Sequence, residues 1–197
     1  MLPLNQLYPI FIKTCQLEFL IVGGGNVALE KLEFLLKSSP LARITMVAPF
    51  FREKTLNFIR GKTNIDLINK PFHPKFLKGK QIVIVTTDNT SVNQKVHRLC
   101  KKKGILVNVA DTPDLCDFYM GGIVTKGNLK IGISTNGKSP TLAKRIRQFL
   151  EELLPEEIND LLDNLQAYRK TITGDFEFKV HEMNKMTKSI LEKNDKN

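Results

Sequence analysis

The stretch Phe19-Leu20-Ile21-Val22-Gly23-Gly24-Gly25-Asn26-Val27-Ala28 decides how this chain folds. Four consecutive apolar residues are too few for a buried helix and suit a strand covered on both faces. Three glycines stop it. Beyond them Val27, Leu29, Leu32, Leu35 and Leu36 recur at helical spacing as far as Lys37, and Ser38-Ser39-Pro40 ends the run. Strand, glycine turn and helix in direct succession read as G-x-G-x-x-A. Gly23 permits the tight turn, Gly25 lets backbone approach a pyrophosphate, and Ala28 keeps the helix close to the sheet, while the helix N-terminus offers free N–H groups. A purely structural glycine turn is the alternative reading.

Outward from this stretch, short β-branched runs alternate with amphipathic ones. Ile44 to Ala48 is a second strand, residues 52–60 a helix, Ile65 to Ile68 a weak strand, and Ile82 to Val85 a fourth strand. The next helix starts on a cap at Thr90 or Ser91 and ends at Lys101-Lys102-Lys103-Gly104, with cations at the negative end of the dipole and a left-handed residue beyond. Ile105 to Ala110 follows as a fifth strand. About five strands with helical connections make an α/β fold, a doubly wound parallel sheet of nucleotide-binding type. After Asp111 the pattern changes. Ile123 to Thr125 and Leu129 to Ile133 flank Lys126-Gly127-Asn128 as a β-hairpin. Ser139-Pro140 then opens a helix to about Leu154, and residues 156–171 and 177–193 read as two more.

Chemistry-bearing residues collect at the carboxyl ends of the strands, where open α/β sheets bind ligands. The acidic residue expected about 20 residues after the glycine motif is absent; Pro49-Phe50-Phe51-Arg52 stands there instead. Arg52 suits a 2′-phosphate and the phenylalanine corner suits packing on an adenosine, so spacing leaves NAD and NADP both open. Thr86-Thr87-Asp88-Asn89 ends the fourth strand, and Asp111 ends the fifth, where a carboxylate could take a proton from a substrate. Aspartate before Thr112-Pro113 also forms turns. Ser134-Thr135-Asn136-Gly137-Lys138 leads into the basic helix and makes a candidate anion site.

Composition sets outer bounds. The 197 residues carry 30 Lys+Arg against 20 Asp+Glu, a net charge of +10, which permits nucleic acid, an acidic membrane face or a polyanionic small molecule as partner. The excess is local: Thr125 to Leu150 holds Lys126, Lys130, Lys138, Lys144, Arg145 and Arg147 and no acid. No helix-turn-helix or RNP pattern supports nucleic acid, and no apolar run is long enough to span a bilayer. Met1 to Val22 is a poor secretory signal, interrupted by Lys13 and Glu18, so a cytoplasmic location is expected. Cys15, Cys100 and Cys116 form no CxxC pair, and His73, His97 and His181 form no metal-binding pattern, so no metal site is expected.

Tyr8-Pro9-Ile10-Phe11, Ile21 to Ala28 with Lys31, Val47-Ala48-Pro49, Thr86-Thr87-Asp88 with Val92-Asn93, Asn108 to Asp111 with Phe118, and Ser134 to Gly137 with Ser139-Pro140 fall in one order. Together they resemble the precorrin-2 dehydrogenase and sirohydrochlorin ferrochelatase family, the dehydrogenase module of sirohaem synthesis. The likeness runs over roughly residues 5–155. It implies a Rossmann-type NAD-binding domain (1–112), a β-rich dimerisation segment (113–145) and a helical C-terminal region (146–197). It further implies a homodimer, NAD⁺ as cofactor, and a tetrapyrrole substrate, precorrin-2, oxidised to sirohydrochlorin. Some members also insert Fe²⁺. By this resemblance Asn26, Val27, Pro49 and Phe50 join Gly23, Gly25, Thr86 and Asp88 as cofactor contacts, and Asp111 is the general base. A carboxylate-rich tetrapyrrole gives the acid-free segment a role: Ser134, Thr135, Lys138, Lys144 and Arg145 are expected to hold substrate. The tyrosine-methionine-glycine run Tyr119 to Gly122 departs from the family, which often has a proline there. The rival reading is a Rossmann-type NAD-binding regulatory module without catalysis.

Overall fold

The computed structural model describes residues 5–191; the expected end of the last helix at Lys193 lies outside them. The chain divides into two compact units, one running to Gly121 and taking back Ser134–Pro140, the other made of Gly122–Ile133 and the chain from Thr141 on.

In the first unit, β1 (Glu18–Val22), α1 (Asn26–Ser38), β2 (Arg43–Ala48), α2 (Glu53–Ile59), β3 (Ile65–Asn69), β4 (Ile82–Val85), α3 (Thr90–Lys103) and β5 (Leu106–Val109) follow in order. The five strands are parallel in the order β3-β2-β1-β4-β5, the doubly wound arrangement expected. Alternation along β1 explains the two layers. Phe19 and Ile21 pack with Ala28, Leu32 and Leu36 of α1, whereas Leu20 and Val22 pack with Val96 and Cys100 of α3. Each of the four β1 side chains stabilises the fold by about 1.5–3 kcal/mol on burial, so the uninterrupted apolar run is what a strand between two helical layers requires.

Two ends differ in detail from expectation. The cap of α3 is Asn89, not Thr90 or Ser91: its side chain accepts the Val92 N–H at 3.1 Å. The Thr87 hydroxyl meets Asn93 Oδ1 at 2.5 Å and Asn93 donates to the Thr87 carbonyl, so the helix starts one residue earlier than sequence suggests. Its far end is as read: Gly104 is left-handed and the Ile105 N–H reaches the Cys100 carbonyl. Beyond β5 the chain folds back along its exposed edge. The Asp117 N–H donates to the Val107 carbonyl at 2.8 Å and Asp117 Oδ2 accepts the Val107 N–H at 3.1 Å, closing an edge that would otherwise invite pairing.

The second unit holds the antiparallel hairpin β6 (Gly122–Lys126) and β7 (Leu129–Ile133), with α4 (Pro140–Leu153), α5 (Ile158–Thr171) and α6 (Phe176–Leu191). Gly127 turns the hairpin in the left-handed region. A Cβ there would meet Asn159 Oδ1 at 2.4 Å, and that oxygen accepts the Asn128 N–H. Ion pairs Lys126–Glu156 and Arg147–Glu151 stitch its surface. Val124 and Ala143 are its buried apolar residues among those described. No described helix is long and apolar enough to cross a membrane.

Candidate functional site

The carboxyl ends of four strands line up because their hydrogen bonds run one residue past each strand. The Gly23 N–H reaches the Val47 carbonyl, the Thr86 N–H the Val22 carbonyl, and the Ala110 N–H the Val85 carbonyl, all at 2.8–2.9 Å. This row runs from β2 through Gly23 and Thr86 to Ala110, with Asp111 one residue beyond. Gly23 and Asp111 are thus two strands apart, about 10 Å across the sheet.

Each glycine of the turn has its own constraint. Gly23 has φ +136, and a Cβ on it would lie 2.2 Å from Thr86 Oγ1. On Gly24 a Cβ would lie 2.2 Å from the Phe50 carbonyl oxygen and 3.0 Å from the buried Phe51 ring. A Cβ on Gly25 would meet nothing within 4 Å. The first two glycines are therefore needed for the fold, whereas the third faces open space. No side chain caps α1 and no acid stands in its first turn, so its N-terminal N–H groups face that space. These features suit an anion such as a diphosphate, to which the backbone N–H groups at the start of α1 are open.

On one flank lies the β2–α2 corner. Pro49 and Phe50 are exposed, Phe50 by 70%, and the Arg52 N–H bonds the Gly24 carbonyl at 3.1 Å, clamping the corner onto the glycine turn. On the other flank the Thr86 hydroxyl donates to the Val22 carbonyl, and Asp88 is exposed at the mouth of the Thr87–Asn93 cluster.

Asp111 is exposed and sits at φ +56, a left-handed conformation in which aspartate and asparagine are the tolerated non-glycine residues. Its carboxylate has no partner among the described residues. What holds it is the fold-back behind it. Asn108 donates to the Phe118 carbonyl at 2.8 Å, Cys116 Sγ lies within 3.3 Å of the Val109 N–H and of the Thr112 carbonyl, and Asp117 pairs with Lys101 at 2.5 Å. Burial pushes the Cys116 thiol up, the Val109 N–H draws it partly back, and Asp117 adds to the rise. The thiol is a neutral packing group under the loop.

The hydroxyls of Ser134 and Thr135 serve their own loop. Ser134 Oγ accepts the Asn136 N–H, and Thr135 Oγ1 accepts the Ser139 N–H and donates to its carbonyl. Asn136 and Gly137 are both left-handed. Lys138 is exposed beside them. In the other unit Lys144 and Arg145 are exposed on α4, with Arg145 3.4 Å from Gln148. Among the described residues no cluster of three or more His, Cys, Asp or Glu could hold a metal. Sequence alone gave no role to Gly24, Asn93 or Asp117. The middle glycine of an unbroken triplet was the available signal for Gly24, whereas Asn93 and Asp117 act through contacts that spacing does not encode.

Comparison with known proteins adds to this geometry. Residues 10–122 match the family described as putative NAD(P)-binding, and residues 126–153 match the one described as sirohaem biosynthesis protein central. A siroheme synthase of Psychrobacter sp. (strain PRwf-1) is 38% identical over 178 residues, covering 87% of this chain and 36% of that protein. One from Pseudoalteromonas atlantica (strain T6c) is 36% identical over 171 residues, with the same coverage of 87% and 36%. The chain thus spans about a third of the length of the curated relatives it matches. A solved structure titled "SirC, precorrin-2 dehydrogenase" superposes with a TM-score of 0.73 at 23% identity, covering 91% of this chain and 89% of that one, and so shares the fold.

Proposed function

The chain belongs to the putative NAD(P)-binding family and continues into the sirohaem biosynthesis central segment, and from that premise we propose that it oxidises precorrin-2 to sirohydrochlorin with NAD⁺ as acceptor. One observation carries the reading. The uncapped start of α1, with open space at Gly25, lies on the same sheet edge as the partnerless carboxylate of Asp111, two strands away.

The residues divide the work as follows. Gly23 shapes the turn, Gly25, Asn26 and Val27 hold the diphosphate, Pro49 and Phe50 cover the adenosine, and Thr86 and Asp88 line the path towards Asp111. When bound, the nicotinamide supplies a hydride acceptor. Asp111 takes the proton lost from the neighbouring position of the macrocycle, so two electrons and two hydrogen nuclei leave the substrate and its conjugation extends. An exposed carboxylate in a left-handed turn is held in place without being spent on a structural bond.

The substrate's carboxylates are assigned to the Ser134–Thr135 loop with Lys138, and to Lys144 and Arg145, because that stretch of chain is basic and free of acids. With Ser134 and Thr135 hydroxyls engaged in the loop, their part is to aim Lys138 and the loop's backbone. A homodimer is supported by Ile146, Phe149 and Leu153, at helical spacing along α4 and 36%, 61% and 62% exposed, in a unit whose own core is thin. The cytoplasm suits three unpaired cysteines. Fe²⁺ enters only as a substrate for a following insertion step.

Anaerobic precorrin-2 with NAD⁺ should give NADH and sirohydrochlorin in equal amounts, and absence of turnover refutes the assignment. Asp111→Asn keeps the backbone conformation and should lose at least 100-fold in rate with dinucleotide affinity retained. Unchanged turnover would leave Asp111 a turn former and favour the NAD-sensing reading. Extending the assay with Fe²⁺ reads out insertion.

A further inference from the structure

The β2–α2 corner carries a specificity that the nicotinamide chemistry does not require. In dinucleotide sites of this architecture a carboxylate at the end of the second strand binds the adenosine ribose and repels a 2′-phosphate. Here Ala48 ends β2, and Pro49, Phe50, Phe51 and Arg52 precede the first acid, Glu53. The electrostatic barrier to a 2′-phosphate is therefore missing from the strand end. A cation stands in the same corner. The Arg52 backbone is fixed to the glycine turn by its N–H bond to the Gly24 carbonyl at 3.1 Å, and buried Phe51 anchors the corner from below. Arg52 itself is exposed, and its guanidinium has no hydrogen-bond or ion-pair partner among the described residues. Phe50 beside it offers an exposed ring of the kind on which an adenine packs.

We propose that this site accepts NADP⁺ as well as NAD⁺, with Arg52 as the ligand of the 2′-phosphate. This rests on the dinucleotide reading given above and extends it to a second form of the cofactor. A planar guanidinium matches two phosphate oxygens at once, and a charge-assisted pair of this kind gives a tenfold or larger preference when it forms on a semi-rigid corner.

The test is equilibrium binding to the full chain, by titration calorimetry, with NAD⁺, NADP⁺, 5′-AMP and adenosine 2′,5′-bisphosphate as probes. Wild-type protein should bind both dinucleotides, and the bisphosphate should outbind 5′-AMP by about tenfold at low salt, an advantage that shrinks as ionic strength rises. Arg52→Ala should remove that advantage and weaken NADP⁺ about tenfold or more while shifting NAD⁺ far less; Arg52→Lys should keep part of it. Binding of NAD⁺ with exclusion of NADP⁺, or an NADP⁺ affinity indifferent to Arg52→Ala, overturns the inference and leaves the dehydrogenase intact. Failure of both dinucleotides to bind would overturn the underlying reading as well.

Discussion

Gly24 and Gly25 are neighbours with opposite demands. A methyl group on Gly24 must displace backbone, so Gly24→Ala should cost about 1–3 kcal/mol by thermal or urea denaturation. On Gly25 the same methyl enters open space, so Gly25→Ala should leave the melting temperature nearly unchanged yet weaken dinucleotide binding. A fall in stability with binding retained would reverse these roles. The motif made Gly23 and Gly25 legible, because both are defined by the ligand and the turn; Gly24 answers to the Phe50 carbonyl, whose approach depends on a strand placed later in the chain. Cys100 shows another consequence of burial. Desolvation first, and Asp117 second, push its thiol from 9.0 up to about 12. The folded chain therefore keeps a proton that the unfolded chain releases above pH 9, so this contribution is complete below pH 9 and declines as pH rises towards 12. Urea unfolding at pH 8 and pH 10 should show that loss, and it should be smaller in Cys100→Ala; equal slopes for both proteins would refute it.

Among the elements, α3 and β5 do most to place the site. Thr90 and Ser91 read as the caps from sequence, whereas the structure uses Asn89, one residue before them. The choice is made by Thr87 and Asn93, whose mutual hydrogen bonds set where the helix begins. Asn89→Ala should cost about 1 kcal/mol, whereas Thr90→Ala and Ser91→Ala should cost far less. The fold-back along β5 was equally hidden from periodicity, since a lone aspartate bonded to an edge strand has no sequence signature. Asp117→Ala should loosen the turn bearing Asp111. It should lower the rate of the proposed precorrin-2 oxidation while leaving dinucleotide affinity close to wild type, with faster amide exchange at Val107 as the structural readout.

At the scale of the whole molecule the doubly wound parallel sheet was readable, because short apolar runs alternate with amphipathic ones up to the change of pattern after Asp111, and the structure supplies the strand order. The sparse core of the second unit was not, because hairpin and helix patterns look the same whether their apolar faces are covered within the chain or by another copy. On the proposed homodimer, Phe149→Asp with Leu153→Asp should shift the protein to half its mass in sedimentation equilibrium; an unchanged mass would remove α4 from the proposed interface. The net charge of +10 makes a related prediction. Under the proposed function, Lys138→Glu, Lys144→Glu and Arg145→Glu together should raise KM for the tetrapyrrole about tenfold or more, more than they alter dinucleotide affinity, with the difference reduced at high salt.

The return of Ser134–Pro140 to the first unit means that the chain passes between its two units three times. Neither is a contiguous cassette. Cutting the gene after Gly121 would deliver a sheet stripped of the loop bearing Lys138, and grafting the hairpin and helices onto another protein would carry that loop away with them. A joint before that loop divides the first unit and a joint after it divides the second, so recombination among relatives should succeed when both units come from one parent and fail at either joint. Chimeras joined on either side of that loop, scored by soluble yield and dinucleotide binding, would measure how far inheritance of the two units is tied together.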